Sequence, residues 1–200
     1  MSNIGKEFES RIMLTESEYL AVVSHFMRLY PNQQFLRISN TYFDTSDYFL
    51  KNNSMTLRLR ITNGVRGELT LKIKGSNGDD EINDPLNMRD VDAILNQGIF
   101  PDGEVKKRLL SLPYSLDNYK QITTLHNLRL EIALEDHLLV IDKNNYSNIT
   151  DYNLEVESQE SVKIANERLN EYIKAFNLTK VQQKYSGKSH RAIDEAIKNN

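Results

Sequence analysis

Charged and apolar residues alternate along five segments of the chain. In "LRLRI" (57–61) arginines separate the apolar residues, and the same spacing recurs in "KEFESRI" (6–12), "LTLKIK" (69–74), "LRLEI" (128–132) and "LEVE" (154–157). Side chains along a strand point to opposite faces with a period of two. Each segment therefore predicts a strand with one apolar face and one charged face. A chain with this pattern must form a sheet whose two faces have different surroundings.

Segments with helical spacing lie between the predicted strands. Thr15 and the acidic residues after it predict a capped helix start, and Asn63-Gly64 predicts a hairpin turn. Strands are predicted at 6–14, 35–44, 55–62, 66–74, 122–135, 137–143 and 150–157, helices at 15–30, 88–97, 104–111, 160–176 and 189–198, and a polar loop at 75–84. Because strands and helices do not alternate regularly, the order predicts an α+β fold with an antiparallel core.

Composition excludes several classes of function. The 200 residues contain no cysteine, which excludes thiol catalysis and cysteine zinc sites, and a net charge of -3 does not favour a nucleic-acid partner. The first ten residues lack the apolar core of a signal peptide, and no apolar run approaches the roughly 20 residues that span a bilayer. We therefore expect a single domain over 1–200, a cytoplasmic location and no membrane partner.

Like charges recur as pairs on these charged faces. The pairs are Glu7/Glu9, Arg58/Arg60, Lys72/Lys74 and Glu155/Glu157. For any one strand, the simplest interpretation is a face that meets water. Two like charges about 7 Å apart nevertheless repel by about 2 kcal/mol at an effective dielectric near 20. Cationic rows indicate a polyanion and acidic rows a divalent cation, so the rows together predict a metal–polyphosphate site inside a barrel.

The opposite choice of faces would give a different protein. If Leu57, Leu59, Leu69 and Leu71 lined the interior, the barrel would be a lipocalin-like carrier of apolar ligands. That arrangement conflicts with charged rows on the inside. We therefore expect the apolar faces to point outward, where the amphipathic helices cover them.

The order of the motifs resembles the CYTH family, also called triphosphate tunnel metalloenzymes, and most closely its small bacterial YjbK-type group. The motifs are Glu7-x-Glu9-x-Arg11, "NTYFDT" (40–45), "LRLR" (57–60), "LTLKIK" (69–74), "LRLEIALED" (128–136), "LLVID" (138–142) and "YNLEVE" (152–157). The resemblance implies a closed eight-stranded antiparallel β-barrel, forming a tunnel, with helices packed outside. It also implies Mg²⁺ or Mn²⁺ as cofactor.

The resemblance assigns a role to each row. Metal ligands would be Glu7, Glu9, Glu155 and Glu157, with Glu131 as a further ligand or an ion-pair partner for Arg129. The triphosphate clamp would consist of Arg58, Arg60, Lys72, Lys74 and Arg129, with Lys184 and Lys188 from the basic tail; Arg11, Lys72 and Lys74 would act at the reacting phosphate. Arg191 is interpreted first as the basic start of a surface helix, with closure of the tunnel or binding of the outer phosphate as the alternative. Asp142 either ends a strand or belongs to the site.

One position departs from the family pattern. The first motif of the family ends in Lys, whereas this chain has Arg11. A lysine with a depressed pKa can act as a base, but an arginine stays charged in proteins. Arg11 can therefore bind phosphate, while the rate or the choice of reaction could differ.

These residues predict a metal-dependent triphosphatase. Its substrate would be a small triphosphate, with tripolyphosphate placed before thiamine triphosphate or ATP because no base or sugar pocket is evident. An adenylate cyclase and a non-catalytic triphosphate- or polyphosphate-binding module remain alternatives. The pattern is compatible with a monomer or a homodimer.

Overall fold

The computed structural model describes residues 8–75, 78–179 and 187–198. The chain divides into two compact units. Of the described residues, the first unit contains 38–75, 78–126 and 188–198, and the second unit contains 8–37, 127–179 and 187.

The regular structure of this described part consists of eight strands and six α-helices, with a π-helical turn at Ala93–Gln97 and a 3-10 turn at Leu116–Asn118. The strands are β1 (Phe8–Leu14), β2 (Leu36–Asp44), β3 (Met55–Thr62), β4 (Arg66–Gly75), β5 (Gly78–Leu86), β6 (Lys120–Ala133), β7 (Leu138–Tyr146) and β8 (Ile149–Ser158). The helices are α1 (Glu16–Leu29), α2 (Phe49–Asn52), α3 (Met88–Asp92), α4 (Glu104–Leu110), α5 (Val162–Ala175) and α6 (Lys188–Lys198). None of these helices has the length and apolar character that crossing a membrane requires.

The strands pair in antiparallel fashion within each unit. In the first unit β3 lies between β2 and β4, and β5 follows β4. In the second unit β8 lies between β1 and β7. The complete hydrogen-bonded order is β1-β8-β7-β6-β2-β3-β4-β5, which confirms an eight-stranded antiparallel α+β fold. Because this order has two ends, closure of the sheet into a barrel is not confirmed and stays a prediction.

The core of the second unit lies between the sheet and two helices. Ile12 and Leu154 point from β1 and β8 toward Val22 of α1 and Leu169 of α5, and all four are buried. Helix α1 begins where Thr15 accepts a hydrogen bond from the backbone of Glu18, the predicted cap. The helices therefore cover the apolar face of this unit, as the alternation predicts.

The first unit repeats this arrangement with shorter helices. Leu57, Leu59, Leu69 and Leu71 are fully buried on one face of β3 and β4. They belong to one apolar cluster with residues of α3 and α4 and of the π-helical turn that follows α3. Leucines that lie under helices cannot line a ligand cavity, so the contacts within this unit do not support the apolar-carrier alternative.

The loop predicted at 75–84 is wrong for most of its length, because β5 occupies that part of the chain. Its sequence "GDDEINDPL" contains residue types that are depleted in strands, so local propensity favours a loop. Backbone pairing with β4 from Gly67↔Leu86 to Gly75↔Gly78 overrides that propensity. Pro85 is tolerated because β5 is the last strand of the order.

Gly67 tests how closely α3 approaches the sheet. A Cβ atom at Gly67 would overlap Cγ2 of Val91 and would lie 3.2 Å from Cβ of Leu86. We expect Gly67→Ala to lower the free energy of unfolding by about 1–3 kcal/mol, measured by urea denaturation. In a Val91→Ala background the same change should cost less, because the overlapping methyl group is gone. An equal cost in both backgrounds would contradict this explanation.

Candidate functional site

The first unit carries a cationic row on the face opposite its apolar core. Arg58 and Arg60 of β3 are partly exposed, whereas Leu57 and Leu59 between and beside them are fully buried. Lys72 of β4 lies on the same polar face, since it is paired in register with Thr56 of β3. The structure thus brings these three predicted phosphate ligands together.

Neighbouring side chains hold the two guanidinium groups. Nη2 of Arg58 donates to Oγ1 of Thr70 at 3.2 Å and lies 3.7 Å from Oε1 of Glu68. Nε of Arg60 donates to Oδ1 of Asn40 at 3.1 Å. The Nε atom of Arg58 is buried and has no hydrogen-bond partner among the described residues. Thr70 and Asn40 thus help to orient the two guanidiniums, and Glu68 lies beside that of Arg58.

The positive charges of this cationic row lower the pKa of Glu81. Its Oε1 atom lies 3.0 Å from Nζ of Lys72. Burial acts to raise the pKa of Glu81, but Lys72, and then Arg58 and Arg60, outweigh burial, so the pKa lies below its ordinary value. Sequence reasoning missed Glu81 because it placed this residue in a loop.

Helix α6 contributes Arg191, for which phosphate binding was the second interpretation of the sequence. Burial raises the pKa of Tyr42, while Arg58, Arg60 and Arg191 act in the opposite direction. Tyr42 faces Arg58 across the β2–β3 pair. Arg191 therefore acts on the same buried ring as the arginines of β3, although it was read first as part of a surface helix.

For Lys74, Lys184 and Lys188, the structure gives less information about the predicted clamp. Lys74 is exposed near the end of β4, and Lys188 is partly buried at the start of α6. Lys184 and the predicted metal ligand Glu7 lie outside the described residues. The structure therefore brings together Arg58, Arg60 and Lys72, and leaves the other assignments as predictions.

The second unit carries an acidic row on its polar face. In the register of β1 and β8, Glu9 is paired with Glu157 and Arg11 with Glu155. Arg11 forms ion pairs with Glu9 and, at 3.6 Å from Nη1 to Oε1, with Glu155. A predicted phosphate-binding guanidinium thus contacts two predicted metal ligands.

Arg129 and Asp142 form a buried ion pair beside this row. Nε and Nη2 of Arg129 donate to the two carboxylate oxygens of Asp142 at 2.9 and 3.0 Å. Nη1 lies 3.4 Å from Oε1 of Glu131, and Nη2 lies 3.6 Å from Oε2 of Glu155. Burial acts to lower the pKa of Arg129, but Asp142, and then Glu155 and Glu157, outweigh burial and raise it. Asp142 therefore belongs to the polar face and does more than end a strand.

Three buried asparagines continue this network. Nδ2 of Asn153 donates to Asp142 at 3.3 Å, Nδ2 of Asn144 donates to Oδ1 of Asn153 at 2.8 Å, and Nδ2 of Asn127 donates to Oδ1 of Asn144 at 2.9 Å. The strand period places each of them on the polar face, but only Asn153, within "YNLEVE", belongs to a motif of the sequence. The amide chain fixes the orientation of the Asp142 carboxylate because each donor is held by the next.

The acidic row fits a divalent cation that a phosphate ligand helps to hold. Among the described residues, no group of three or more acidic or histidine side chains is placed to hold a metal ion. Mg²⁺ is commonly held by one or two carboxylates together with phosphate oxygens and water, so a complete protein cage is not required. The carboxylates of Glu9 and Glu157, paired across β1 and β8, provide oxygen donors of the right kind.

Comparisons with known proteins define the class. A sequence profile of the CYTH domain matches residues 5–185, and the chain belongs to this family. A Bacillus subtilis (strain 168) protein named "Putative triphosphatase YjbK" is 32% identical over 152 residues, which cover 76% of this chain and 77% of that protein. The family and its YjbK-type group, both expected from the resemblance, are confirmed.

Solved structures share the fold. The crystal structure of a "putative adenylate cyclase" from Bacillus halodurans is 29% identical, with a TM-score of 0.80 over 94% of this chain and 97% of that chain. A Hippeastrum protein, HpAC1, is described as a "putative adenylyl cyclase" with a dominant triphosphatase activity. It is 18% identical, with a TM-score of 0.74 over 94% of this chain and 95% of that chain, and this likeness shows the fold alone.

The buried ion pair predicts a large effect on stability. Asp142→Asn keeps the shape of the side chain but leaves the buried guanidinium of Arg129 without its bidentate carboxylate, so we expect a loss of about 3–5 kcal/mol in the free energy of unfolding. Urea denaturation measures this loss. As a control, Glu104→Gln removes the exposed ion pair with Lys107 (2.6 Å) and should change stability little. Equal effects of the two variants would contradict a stabilising role for the buried pair.

Proposed function

We propose that the protein is a divalent-metal-dependent triphosphatase and that inorganic tripolyphosphate is its preferred substrate. The proposal depends chiefly on one observation, the cationic row of Arg58, Arg60 and Lys72 on the polar face of the first unit. Family membership and the relative whose name is that of a triphosphatase support the same reaction class. The sequence offers no evident base or sugar pocket, which favours the inorganic substrate.

In this proposal the cationic rows bind the phosphates. Guanidinium groups bind phosphate oxygens through two parallel hydrogen bonds, whereas an ammonium group acts as a compact charge. Arg58, Arg60 and Lys72 would form the centre of the clamp, with Lys74, Lys184 and Lys188 contacting outer phosphates. Arg11, Lys72 and Lys74 would neutralise the charge that develops on the reacting phosphate.

The carboxylates would hold the cofactor. Glu7, Glu9, Glu131, Glu155 and Glu157 supply the oxygen donors that Mg²⁺ or Mn²⁺ prefers. When bound, such a cation neutralises phosphate charge and activates water. The ion pairs of Arg11 and Arg129 with these carboxylates limit the repulsion within the row before any cation arrives.

The side chains present match the demands of phosphoryl transfer to water. This reaction needs positioning and charge stabilisation more than a covalent nucleophile. The chain lacks cysteine, but arginine and lysine side chains fixed by Thr70, Asn40 and Glu81 are pre-oriented for a polyanion. Pre-oriented charges avoid the cost of reorganisation during the reaction.

Two further candidates share the same binding residues. Adenylate cyclase chemistry is supported by the name of the Bacillus halodurans neighbour, and would convert ATP to cyclic AMP and pyrophosphate. A binding module without turnover is supported by Arg11, which cannot serve as a base. A small triphosphate as ligand, a cytoplasmic location and either a monomer or a homodimer remain part of the proposal.

A substrate panel tests the proposal directly. We expect tripolyphosphate to be hydrolysed to pyrophosphate and phosphate with Mg²⁺ or Mn²⁺, faster than thiamine triphosphate or ATP, and not at all with excess EDTA. Product analysis by ion chromatography measures each reaction. Cyclic AMP from ATP would favour the cyclase, and tight binding without any product would favour the binding module.

Lys72 tests the cationic row without any turnover. We expect Lys72→Ala to reduce the rise in melting temperature that tripolyphosphate causes, because the ligand stabilises the folded state in proportion to its affinity. Lys107→Ala is a matched control, since that lysine lies on α4 and pairs with Glu104. If both variants keep the parental shift, Lys72 is not part of the clamp.

Arg11 tests whether position 11 supplies a base. The guanidinium is engaged by Glu9 and Glu155, so we expect its contribution to be charge and not proton transfer. Arg11→Lys should therefore change kcat by less than about threefold, worth under about 0.7 kcal/mol of barrier, and leave its pH profile unchanged. A gain of about tenfold that grows with pH would instead show that a lysine here acts as the base.

A further inference from the structure

Helix α6 is joined to helix α2 by an ion pair. Nζ of Lys51 lies 2.6 Å from Oδ1 of Asp194, and both side chains are partly exposed. Ala192 and Ile193, on the same helix as Asp194, are buried. Helix α6 is therefore held in the first unit by buried apolar residues together with a charged contact.

The lysine of this ion pair is anchored at the end of β2. The carboxylate of Asp44, the last residue of that strand, is buried. It accepts hydrogen bonds from the backbone N–H groups of Thr45, Leu50 and Lys51 at 2.8, 2.8 and 2.9 Å. Because side chains along a strand alternate with a period of two, Asp44 lies on the same face of β2 as Tyr42. Lys51 is thus fixed close to the polar face of the first unit.

Tyr42 marks the place where the charge of α6 reaches the cationic row. It is paired with Arg58 across β2 and β3 and is 3% exposed. Burial raises the pKa of Tyr42, whereas Arg58, Arg60 and Arg191 act in the opposite direction. Arg191 and Asp194 are three residues apart, about 4.5 Å along the helix axis, so they are neighbours on the helix surface. The position of Arg191 beside Tyr42 therefore depends on how Asp194 is held.

Like charges oppose this position of α6. Its first four residues, "KSHR" (188–191), include Lys188 and Arg191 and no acidic residue. The N-terminal end of a helix also carries a partial positive charge. Bringing Arg191 toward Arg58 and Arg60 adds repulsion between cations. The ion pair with α2 offsets part of this repulsion while no anion is bound.

We propose that Lys51 and Asp194 are positioning residues, whose ion pair holds α6 so that Arg191 stays beside the cationic row and contributes its charge to triphosphate binding. The two residues act through Arg191 and not by contact with the ligand. This inference rests on the proposed function and deepens it, because it adds a helix outside the sheet to the phosphate site.

The sign of one effect tests this role. Asp194→Asn removes a negative charge from the first unit, so by charge alone it would strengthen the binding of an anion. Loss of the position of Arg191 should instead weaken binding. We expect the dissociation constant for tripolyphosphate in excess EDTA, measured by calorimetry, to rise about two- to fivefold, as for the loss of a partly exposed ion pair.

Three further variants separate positioning from a general loss of structure. In an Arg191→Gln background, Asp194→Asn should cause no additional weakening, because the cation that it positions is already absent. Lys51→Gln should weaken binding as Asp194→Asn does, and the two changes together should cost no more than either alone. As a matched control, Asp102→Asn makes the same charge change in an exposed pair with Lys106 (2.8 Å) and should not weaken binding.

The outcomes separate this inference from the proposed function. Circular dichroism and thermal melting first establish that each variant is folded. An unchanged or stronger affinity in Asp194→Asn, or an equal loss in the Arg191→Gln background, would overturn the positioning role even if the parent protein hydrolyses tripolyphosphate. If the parent protein binds tripolyphosphate without hydrolysing it, the proposed hydrolysis is overturned, and the affinities of the variants still decide the positioning role. A parent protein that does not bind tripolyphosphate would overturn both.

Discussion

The alternation of side chains along a strand imposes two requirements on every strand of this protein. The apolar face must be covered, and the charged face must be neutralised. In the first unit the leucines of β3 and β4 are fully buried in a cluster that includes α3 and α4, and in the second unit α1 and α5 cover β1 and β8. The charged rows are therefore confined to the other face of each strand, where the neighbouring side chains decide how much of their charge remains available to a ligand.

The two units neutralise their rows in different ways. In the first unit the partners of Arg58 and Arg60 include uncharged oxygens, and the positive charges of Lys72, Arg58 and Arg60 lower the pKa of Glu81. In the second unit the described carboxylates outnumber the guanidiniums, and Arg129 is fully engaged with them. In the proposed function, a polyanion would stabilise the first arrangement and a divalent cation the second. This division of charge is the physical argument for proposing both ligands.

The sequence predicts those features that depend on local pattern. Three of these features are local, and the structure confirms each of them. Arg58 and Leu57 point to opposite faces of β3, Thr15 caps helix α1, and Asn63-Gly64 forms the hairpin turn. Strand β5 could not be found in this way, because its residues favour a loop and pairing with β4 decides its conformation. The buried network around Asp142 was missed for a related reason. An ion pair between β6 and β7 and an amide chain from β6 to β8 depend on strand register, which no single segment encodes.

Arg11 shows how one substitution shifts the balance within the acidic row. A lysine ammonium is a single point of charge, whereas the two ends of the Arg11 guanidinium contact Glu9 and Glu155 at once. Opposite charges paired across β1 and β8 stabilise the sheet, but the directly paired glutamates Glu9 and Glu157 repel. Arg11 reduces this repulsion and keeps the positive charge that a phosphate would need. In the proposed function, a divalent cation would therefore gain less by entering the row than it would without these ion pairs.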